Sequence, residues 1–344
     1  MQKNIFIQTQ DLMGEDIFID LTRIRNTVWF GLGPSIEGQF SYDQEVMAGS
    51  YLTRPEFIAS KHQSAGTWLD LDTEILDHDD VLWRHSLYRG YMELRTEILS
   101  LSIGRQRIDW AVTRLWNPLD LFNPILPQSI EQTERVGVDA VNFELFLSDL
   151  SKIQFVYAPQ DSLKDSSMAG RYIVTVGTYD YSLMFGEFRN AELIGISFDG
   201  YIKDAGFRGE ATVNLEEGED FIRASIGYDY TFANGVYALL EYFYNGKNKD
   251  VLSFDNQVNI PEIITVKKNF LGIDFEKDIT ALWRIQNLSI IEMETPGIFN
   301  GTYLSYSASK NIDVTFGIQL SFSGNGGDFD LTENIYFAQL ECFF

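Results

Sequence analysis

The chain has 344 residues, of which 26 are basic and 50 are acidic, and its formal net charge at pH 7 is −24. Such an acidic balance speaks against nucleic-acid binding, which needs basic surface. Cys342 is the single cysteine, which excludes an intramolecular disulfide and a cysteine-rich metal site.

Apolar and polar residues alternate along nearly the whole chain. In the stretch from Ile222 to Tyr230, apolar or aromatic residues occupy every second position, and Arg223, Ser225 and Asp229 lie between them. Segments of about ten alternating residues separated by turns are typical of a transmembrane β-barrel, and a soluble β-sandwich needs no such regular segments. No apolar run reaches the roughly 18 residues of a membrane-spanning helix.

The chain opens on Met1-Gln2-Lys3-Asn4, which lacks the charged and apolar regions of a secretory signal peptide. Because the alternating pattern requires a membrane, we expect these residues to belong to a mature form from which a signal peptide has been removed. The bacterial outer membrane is the predicted location, since it is where barrels of this kind occur.

Taken in chain order, the alternation predicts about 18 strands, an even number as single-chain bacterial barrels require, with about 16 as the alternative. The predicted strands are 3–10, 16–30, 35–47, 87–97, 99–108, 137–148, 151–159, 170–179, 181–189, 192–203, 205–214, 220–231, 235–246, 265–276, 280–292, 298–308, 312–322 and 331–344. Strand 3–10 has the weakest pattern and is included partly because closure needs a partner there. The long predicted connections, which largely alternate with tight turns, are 48–86, 109–136, 160–169, 247–264 and 323–330. We therefore predict an all-β fold in which residues 1–344 form one closed antiparallel transmembrane β-barrel, with short periplasmic turns and long extracellular loops.

The interior of such a barrel is predicted to be lined by charged side chains. Lipid offers no hydrogen-bond partners, so a spanning β-structure has to close, and about 18 strands leave a wide interior. Charges of both signs share the inward parity, and they need water or one another. The residues that we expect to line the lumen are Arg89, Glu93, Arg95, Arg208, Glu210, Arg223 and Asp229. Further inward acids, among them Asp43, Glu241 and Asp274, put acids in excess and predict a weak preference for cations.

The segment 109–136 is long for a connection between neighbouring strands, and such loops are usually either functional or disordered. Two tryptophans, two Asn-Pro pairs and a phenylalanine argue against disorder. We expect the loop to fold into the barrel and to narrow it, although a cap outside the barrel is the alternative. The expected anchors on the wall are Trp110, Trp116 and Phe122, with Leu119. The side chains expected to face the passage are Arg114, Asp120 and Asn123.

Two arginines just before this loop break the pattern. Arg105 and Arg107 share the parity of Ile103 and its outward-facing neighbours. Either they lie at the outer rim near lipopolysaccharide phosphates, or a bulge at Gly104 turns them into the lumen. We favour the bulge.

The last predicted strand carries an apolar face that ends on the terminal aromatic residue. Tyr336, Leu340 and Phe344 lie on this face, together with Ala338 and Cys342. The pattern resembles the C-terminal signature of bacterial outer-membrane proteins, whose terminal aromatic residue is read by the barrel-assembly machinery. The resemblance implies that machinery as a partner; the alternative is a soluble edge strand that happens to end the chain.

A second resemblance covers about 40 residues around the long loop. Gly104-Arg105-Gln106-Arg107, the Trp116-Asn117-Pro118 turn and Gly137-Val138-Asp139-Ala140 resemble the pattern of porin-like outer-membrane barrels, including alginate-export relatives. It implies an 18-stranded barrel that passes hydrophilic solutes or a polysaccharide. Ala111 stands where family members often have Gly, and this acidic chain departs from the strongly basic lumen expected of an alginate exporter.

An acidic segment and the histidines invite other hypotheses. Residues 68–85 concentrate carboxylates, which calcium prefers, but the segment lacks the Gly and the distal Glu of an EF-hand. We interpret it as a solvated loop and predict no metal site. All three histidines, His62, His78 and His85, lie in the same predicted loop. Catalysis needs a geometry that adjacency in sequence does not supply, so we predict no enzyme.

The sequence thus predicts a porin, an outer-membrane channel for passive diffusion of small hydrophilic solutes, with loop 109–136 as its constriction. Its expected surroundings are membrane lipid and lipopolysaccharide, and we predict no cofactor and no nucleic-acid partner. A homo-oligomer is left open. The alternatives are an exporter of an extracellular polysaccharide and a barrel that serves as a scaffold or sheath for a partner protein.

Overall fold

The computed structural model describes residues 1–10, 14–61, 67–123, 127–131, 137–188, 191–216, 219–247, 265–322, 326–330 and 332–344. They form a 3-10 turn, Ser50–Thr53, one short α-helix, Pro55–Ser60, and 19 strands. The strands are β1 Gln2–Gln10, β2 Asp16–Leu32, β3 Ile36–Ala48, β4 Thr73–His78, β5 Val81–Arg95, β6 Leu99–Gln106, β7 Val138–Ser148, β8 Ser151–Ala158, β9 Ser167–Val176, β10 Tyr179–Phe188, β11 Ala191–Ile202, β12 Ala205–Glu216, β13 Glu219–Thr231, β14 Val236–Asn245, β15 Asn269–Asp278, β16 Trp283–Glu292, β17 Ile298–Ser309, β18 Ile312–Phe322 and β19 Ile335–Cys342. Among the described residues, no helix has the length and apolar character needed to cross a membrane.

The sheet closes on itself through β1. This strand pairs antiparallel with β2 on one side and with β19 on the other, where Gln2 lies opposite Cys342 and Thr9 opposite Ile335. β4 pairs with β5 alone among the described strands, so the remaining 18 strands form the ring. The predicted closed antiparallel barrel of 18 strands is confirmed, and predicted strand 3–10 is β1.

Alternation decides which side chains meet the outside of the ring. On β13, Ile222 and Ile226 are 49% and 44% exposed, whereas Arg223 and Ser225 between them are 7% and 3% exposed. The outer face is therefore apolar and the inner face polar. On β19, Tyr336 and Leu340 lie exposed on the outer face as predicted, and Phe344 follows the strand, also exposed.

The predicted loop 48–86 is wrong, because it contains the 3-10 turn, the α-helix, β4 and the first residues of β5. A β-bulge accounts for the error. Ser41 pairs with Arg89 and Tyr42 with Leu87, so Tyr88 is an extra residue on β5. One extra residue reverses the alternation, and the pattern that begins at 89 therefore does not continue back to 81.

The short connections lie at the end of the barrel that carries both chain termini, where β7 and β8, for example, are joined across 149–150. The opposite end carries the long connections, including 107–137 between β6 and β7. The alternation of long and short is not complete there, since β10 ends at Phe188 and β11 begins at Ala191.

Candidate functional site

A buried ion pair joins β6 and β7 where the long loop leaves the wall. Gly104 has φ of 122°, and a Cβ at this position would collide with the Gly90 carbonyl oxygen, so the position needs glycine. Beyond it, the Arg105 side chain is buried, whereas Ile103 is exposed, and Arg105 Nε lies 2.9 Å from Asp139 Oδ1.

The bulge expected at Gly104 is wrong, and the turn of Arg105 into the lumen stays a prediction. The pairing of β6 with β5 and with β7 runs through Gly104 without a register shift. Arg107 is exposed and forms an ion pair with Asp109. Arg105 and Asp139 thus join two separated parts of the sequence block at the base of the loop.

The loop beyond this pair packs on two apolar clusters of the inner wall. Its residues 110, 119 and 122 share one cluster with side chains from β7 to β11, and residues 115 and 116 share the other with side chains from β14 to β17. The first cluster includes Trp110, Leu119, Phe122, Val138, Val156, Ala169, Met184 and Leu193. The second includes Leu115, Trp116, Leu239, Phe243, Phe270, Leu288, Phe299 and Phe329.

The expected anchors Trp110, Trp116 and Phe122 are all buried in these clusters. The ring of Trp116 stacks on Phe243 with centroids 5.3 Å apart, and Trp110 meets Phe122 edge-on at 5.5 Å. A glycine on the wall makes room for this packing, since a Cβ at Gly272 of β15 would collide with Leu115.

Two buried glutamates of the wall accept hydrogen bonds from the loop backbone. Glu210 on β12 accepts from the N–H groups of Val112, Thr113 and Leu119 at 2.7, 3.3 and 3.0 Å. Successive backbone N–H groups that converge on one anion form a nest, in which the amide dipoles stabilise the charge.

Glu241 on β14 forms a second nest. It accepts from the N–H groups of Arg114, Leu115 and Trp116 at 2.9, 3.1 and 2.8 Å, and from Ser225 Oγ at 3.0 Å. The loop is thereby bonded to β12 and β14 on the inner face of the barrel.

The far part of the described loop reaches the opposite side of the ring. Glu131 accepts hydrogen bonds from Lys3 Nζ of β1 at 3.2 Å and from Arg23 Nη1 of β2 at 2.8 Å. Gln319 of β18 donates to the Gln128 carbonyl oxygen at 2.9 Å. Contacts to both sides place the loop across the interior of the barrel.

Of the three loop residues expected to face the passage, only Arg114 is exposed. Asp120 and Asn123 are buried, and their expected orientation is wrong. Asp120 Oδ1 accepts from the Asn123 N–H at 3.2 Å, and Asn123 Oδ1 accepts from the Ile108 N–H at 3.1 Å. Both side chains serve the backbone of the loop, which has no strand partner to satisfy it.

The predicted lumen residues of β12 and β13 other than Glu210 contact polar side chains of the wall. Arg208 is buried, with Nη1 2.7 Å from Asp229 Oδ2 and Nε 3.2 Å from Asp199 Oδ1. Arg223 is buried and donates to Asn245 Oδ1 at 3.0 Å.

The predicted lumen residues of β5 differ in exposure. Arg89 is buried, lies over the Tyr88 ring at 4.1 Å and donates to its carbonyl oxygen. Glu93 is half-buried and accepts from Ser100 Oγ at 2.6 Å. Arg95 is exposed, with its guanidinium 6.0 Å from the Phe146 ring. Arg95 is therefore more accessible than Arg89.

No family model matches the chain, and no curated protein matches it. Solved structures do. The fold resembles that of the outer membrane protein OpdK. OpdK of Pseudomonas aeruginosa, solved with vanillate, has a TM-score of 0.58 and 10% identity, over 99% of this chain and 96% of that chain.

Two further structures match over nearly the full length. OccK8 (OprE) of Pseudomonas aeruginosa has a TM-score of 0.62 and 8% identity, over 98% of this chain and 95% of that chain. OccAB4 of Acinetobacter baumannii has a TM-score of 0.61 and 9% identity, over 99% of this chain and 96% of that chain. At these identities the likeness establishes the barrel fold. It supports the porin-like part of the sequence resemblance, and the alginate-export part stays a prediction.

A second contact joins two segments at the end of the barrel with the long connections to the wall. Glu292 Oε1 accepts from the N–H groups of Asp328 and Phe329 at 2.6 and 3.2 Å. Asp328 in turn accepts from the N–H groups of Val266 and Lys267 at 2.8 and 3.0 Å. Burial raises the pKa of Asp328 to about 6, although these two amides and the Lys267 charge oppose the shift.

Sequence reasoning missed the site roles of the wall carboxylates and of several ion pairs. Parity placed Glu241 and Asp43 inside, but it could not show that Glu241 binds the loop or that Asp43 binds Arg25 at 2.6 Å. Within the described ranges, no group of three or more histidine, cysteine or acidic side chains could hold a metal ion.

Proposed function

We propose that this protein is an outer-membrane channel for the passive diffusion of small hydrophilic solutes, narrowed by loop 109–136. One observation carries the proposal: the loop backbone is bonded to Glu210 and Glu241 of the inner wall, while Arg114 beside these bonds stays exposed. A loop held across the interior of a wide barrel narrows the passage and leaves the closed ring of strands unchanged.

The charges around the passage support a channel for hydrophilic solutes. Arg114, Arg95 and Glu93 are exposed or half-buried on the inner side and are the residues that we propose a solute contacts. Arg208 and Arg223 are buried in the polar wall behind them, and Asp229 is half-buried. The chain carries an excess of acids, so we propose a weak preference for cations.

The apolar outer face supports a position in the membrane, with lipid and lipopolysaccharide as its neighbours. A transmembrane barrel presents an outward apolar band of this kind. The exposed face of Tyr336 and Leu340, followed by Phe344, is the surface that we propose the barrel-assembly machinery reads. Removal of a signal peptide stays a prediction of the sequence, which leaves a homo-oligomer open.

Single-channel conductance in a planar bilayer tests the function. The full chain should conduct steadily, and a variant that lacks residues 112–132 should conduct more, because the deletion removes the constriction. Heat-modifiable migration on detergent gels checks that both forms are folded. If neither folded form conducts, the channel proposal fails and a scaffold role takes its place.

A further inference from the structure

The two glutamate nests attach the loop to the wall and also resist its displacement. Glu210 and Glu241 are buried on the inner wall, and neither forms an ion pair with a described residue. Six backbone N–H groups instead donate hydrogen bonds to them, three to each carboxylate. Hydrogen bonds to a charged acceptor are about twice as strong as neutral ones, so each nest resists displacement of the loop.

The turn between the nests is bonded to itself. Thr113 Oγ1 donates to the Trp116 carbonyl oxygen at 2.5 Å, and Asn117 Nδ2 donates to the Thr113 carbonyl oxygen at 2.7 Å. Because the turn is compact, holding the N–H groups of Thr113 and Trp116 holds every residue between them. Arg114 lies in this interval.

The charge of Arg114 shares its surroundings with wall residues. The neighbours of Arg114 in the turn, Val112 and Thr113, bond Glu210 of β12. Arg208 of the same strand pairs with Asp229 of β13. The Arg114 N–H is itself bonded to Glu241 at 2.9 Å. The position of the Arg114 charge relative to these wall charges therefore depends on the bond to Glu241.

We propose that Glu210 and Glu241 are positioning residues that hold the constriction loop on the inner wall, and we call these contacts the latch. We further propose that Glu241 determines the position of the Arg114 charge in the passage. The selectivity part of this proposal rests on the channel function proposed above. The latch does not rest on that function, because it concerns only the position of the loop.

Glutamine is the sharpest replacement. Its amide has nearly the shape of the carboxylate, but its NH₂ group is a donor and faces the loop N–H groups, which are donors too. The matched control is Glu144→Gln. Glu144 lies on the inner face of β7 and pairs with Lys152 at 3.0 Å, so this change also removes one wall carboxylate but no described contact to the loop.

The rate of thiol modification in the loop tests the latch without a conductance measurement. Thr113 is buried, and Thr113→Cys in a Cys342→Ser background provides one thiol that a membrane-impermeant reagent reaches only when the loop moves. We expect Glu210→Gln and Glu241→Gln each to raise the modification rate at least about tenfold, the factor expected for one charge-assisted hydrogen bond lost. Glu144→Gln should leave the rate unchanged. Equal rates in all four proteins would overturn the latch.

Ion selectivity tests the action of Glu241 through Arg114. The reversal potential in a KCl gradient is measured for Glu241→Gln, Arg114→Gln, the double variant and Glu144→Gln. We expect Glu241→Gln to shift the potential more than the control does, and the excess to vanish when Arg114 is already glutamine. An equal shift in both backgrounds would refute the action through Arg114. If no protein conducts while the thiol rates change as expected, the channel function fails and the latch stands.

Discussion

Replacing Trp116 by alanine removes the largest side chain that anchors the constriction loop to β14 and β15. Trp116 is 3% exposed, stacks on Phe243 at 5.3 Å and tilts against Phe270 at 6.1 Å. Truncation of a buried tryptophan costs about 3–5 kcal/mol, and part of this is the ring stacking, worth roughly 1 kcal/mol. The penalty falls on the loop, because the 18-stranded ring holds together through its own strand pairing.

The assay is hydrogen–deuterium exchange of the N–H groups of 114, 115 and 116, which are bonded to Glu241. If local opening of the loop limits exchange, a loss of about 3–5 kcal/mol accelerates exchange by roughly two to four powers of ten. N–H groups of the barrel strands should exchange as in the unmodified protein.

Trp283→Ala is the matched control. Trp283 is a tryptophan of the wall and stacks on Tyr306 at 4.5 Å. The two residues lie on neighbouring strands β16 and β17, and neither is among the residues that pack against the loop. It should leave exchange in the loop unchanged. If Trp116→Ala leaves the exchange of 114–116 unchanged in a folded barrel, the packing argument is refuted.

Three further predictions concern other contacts of the loops. Asp139→Ala leaves the Arg105 guanidinium buried without its carboxylate partner, 2.9 Å away in the unmodified protein, and should destabilise the base of the loop by about 3–5 kcal/mol, measured as a lower midpoint of heat modification. Gly272→Ala places a methyl group against Leu115 and should cost about 1–3 kcal/mol through overpacking, again measured by heat modification. Burial raises the pKa of Asp328 to about 6, above the usual value of about 4, so Asp328 binds a proton more tightly when buried than when the segment opens. Protection from hydrogen exchange of the two N–H groups that donate to Asp328 should therefore be greatest below about pH 4 and should decline as the pH rises to about 6.

Each of these has a contradicting result. The pair variant Arg105→Leu with Asp139→Leu should recover part of the loss, because no buried charge is left unpaired; no recovery would argue against a charge effect. Gly170→Ala on β9 is the control for Gly272→Ala, since its Cβ would meet nothing closer than 3.7 Å. In Asp328→Asn the pH dependence should disappear, and its persistence would assign it to another group.

The barrel could be predicted from the sequence because contact with lipid constrains the residue type at every second position of each spanning strand. Each spanning strand needs an apolar residue outside and tolerates polar residues inside, so the alternation is written into nearly every segment. β5 shows where this stops. The bulge at Tyr88 inverts the parity, and one extra residue has no signature of its own in a single sequence.

The anchors of the loop could also be predicted, since large aromatic side chains in a polar loop have to be buried somewhere. Asp120 and Asn123 could not. A polar side chain that faces water and one that bonds a neighbouring backbone N–H have the same composition and spacing, and only the path of the chain separates them. The structure shows both side chains bonded within the loop.

The sequence by itself thus determined the closed barrel, the strands and their faces, the inward glutamates and the anchors of the long loop, because each follows from alternation or from side-chain character within one segment. The tertiary structure alone decided that Glu210 and Glu241 bind the loop backbone. Such a contact depends on where a loop of β6–β7 lies relative to β12 and β14, more than 90 residues away in the chain, and backbone N–H groups carry no residue identity from which their partner can be read.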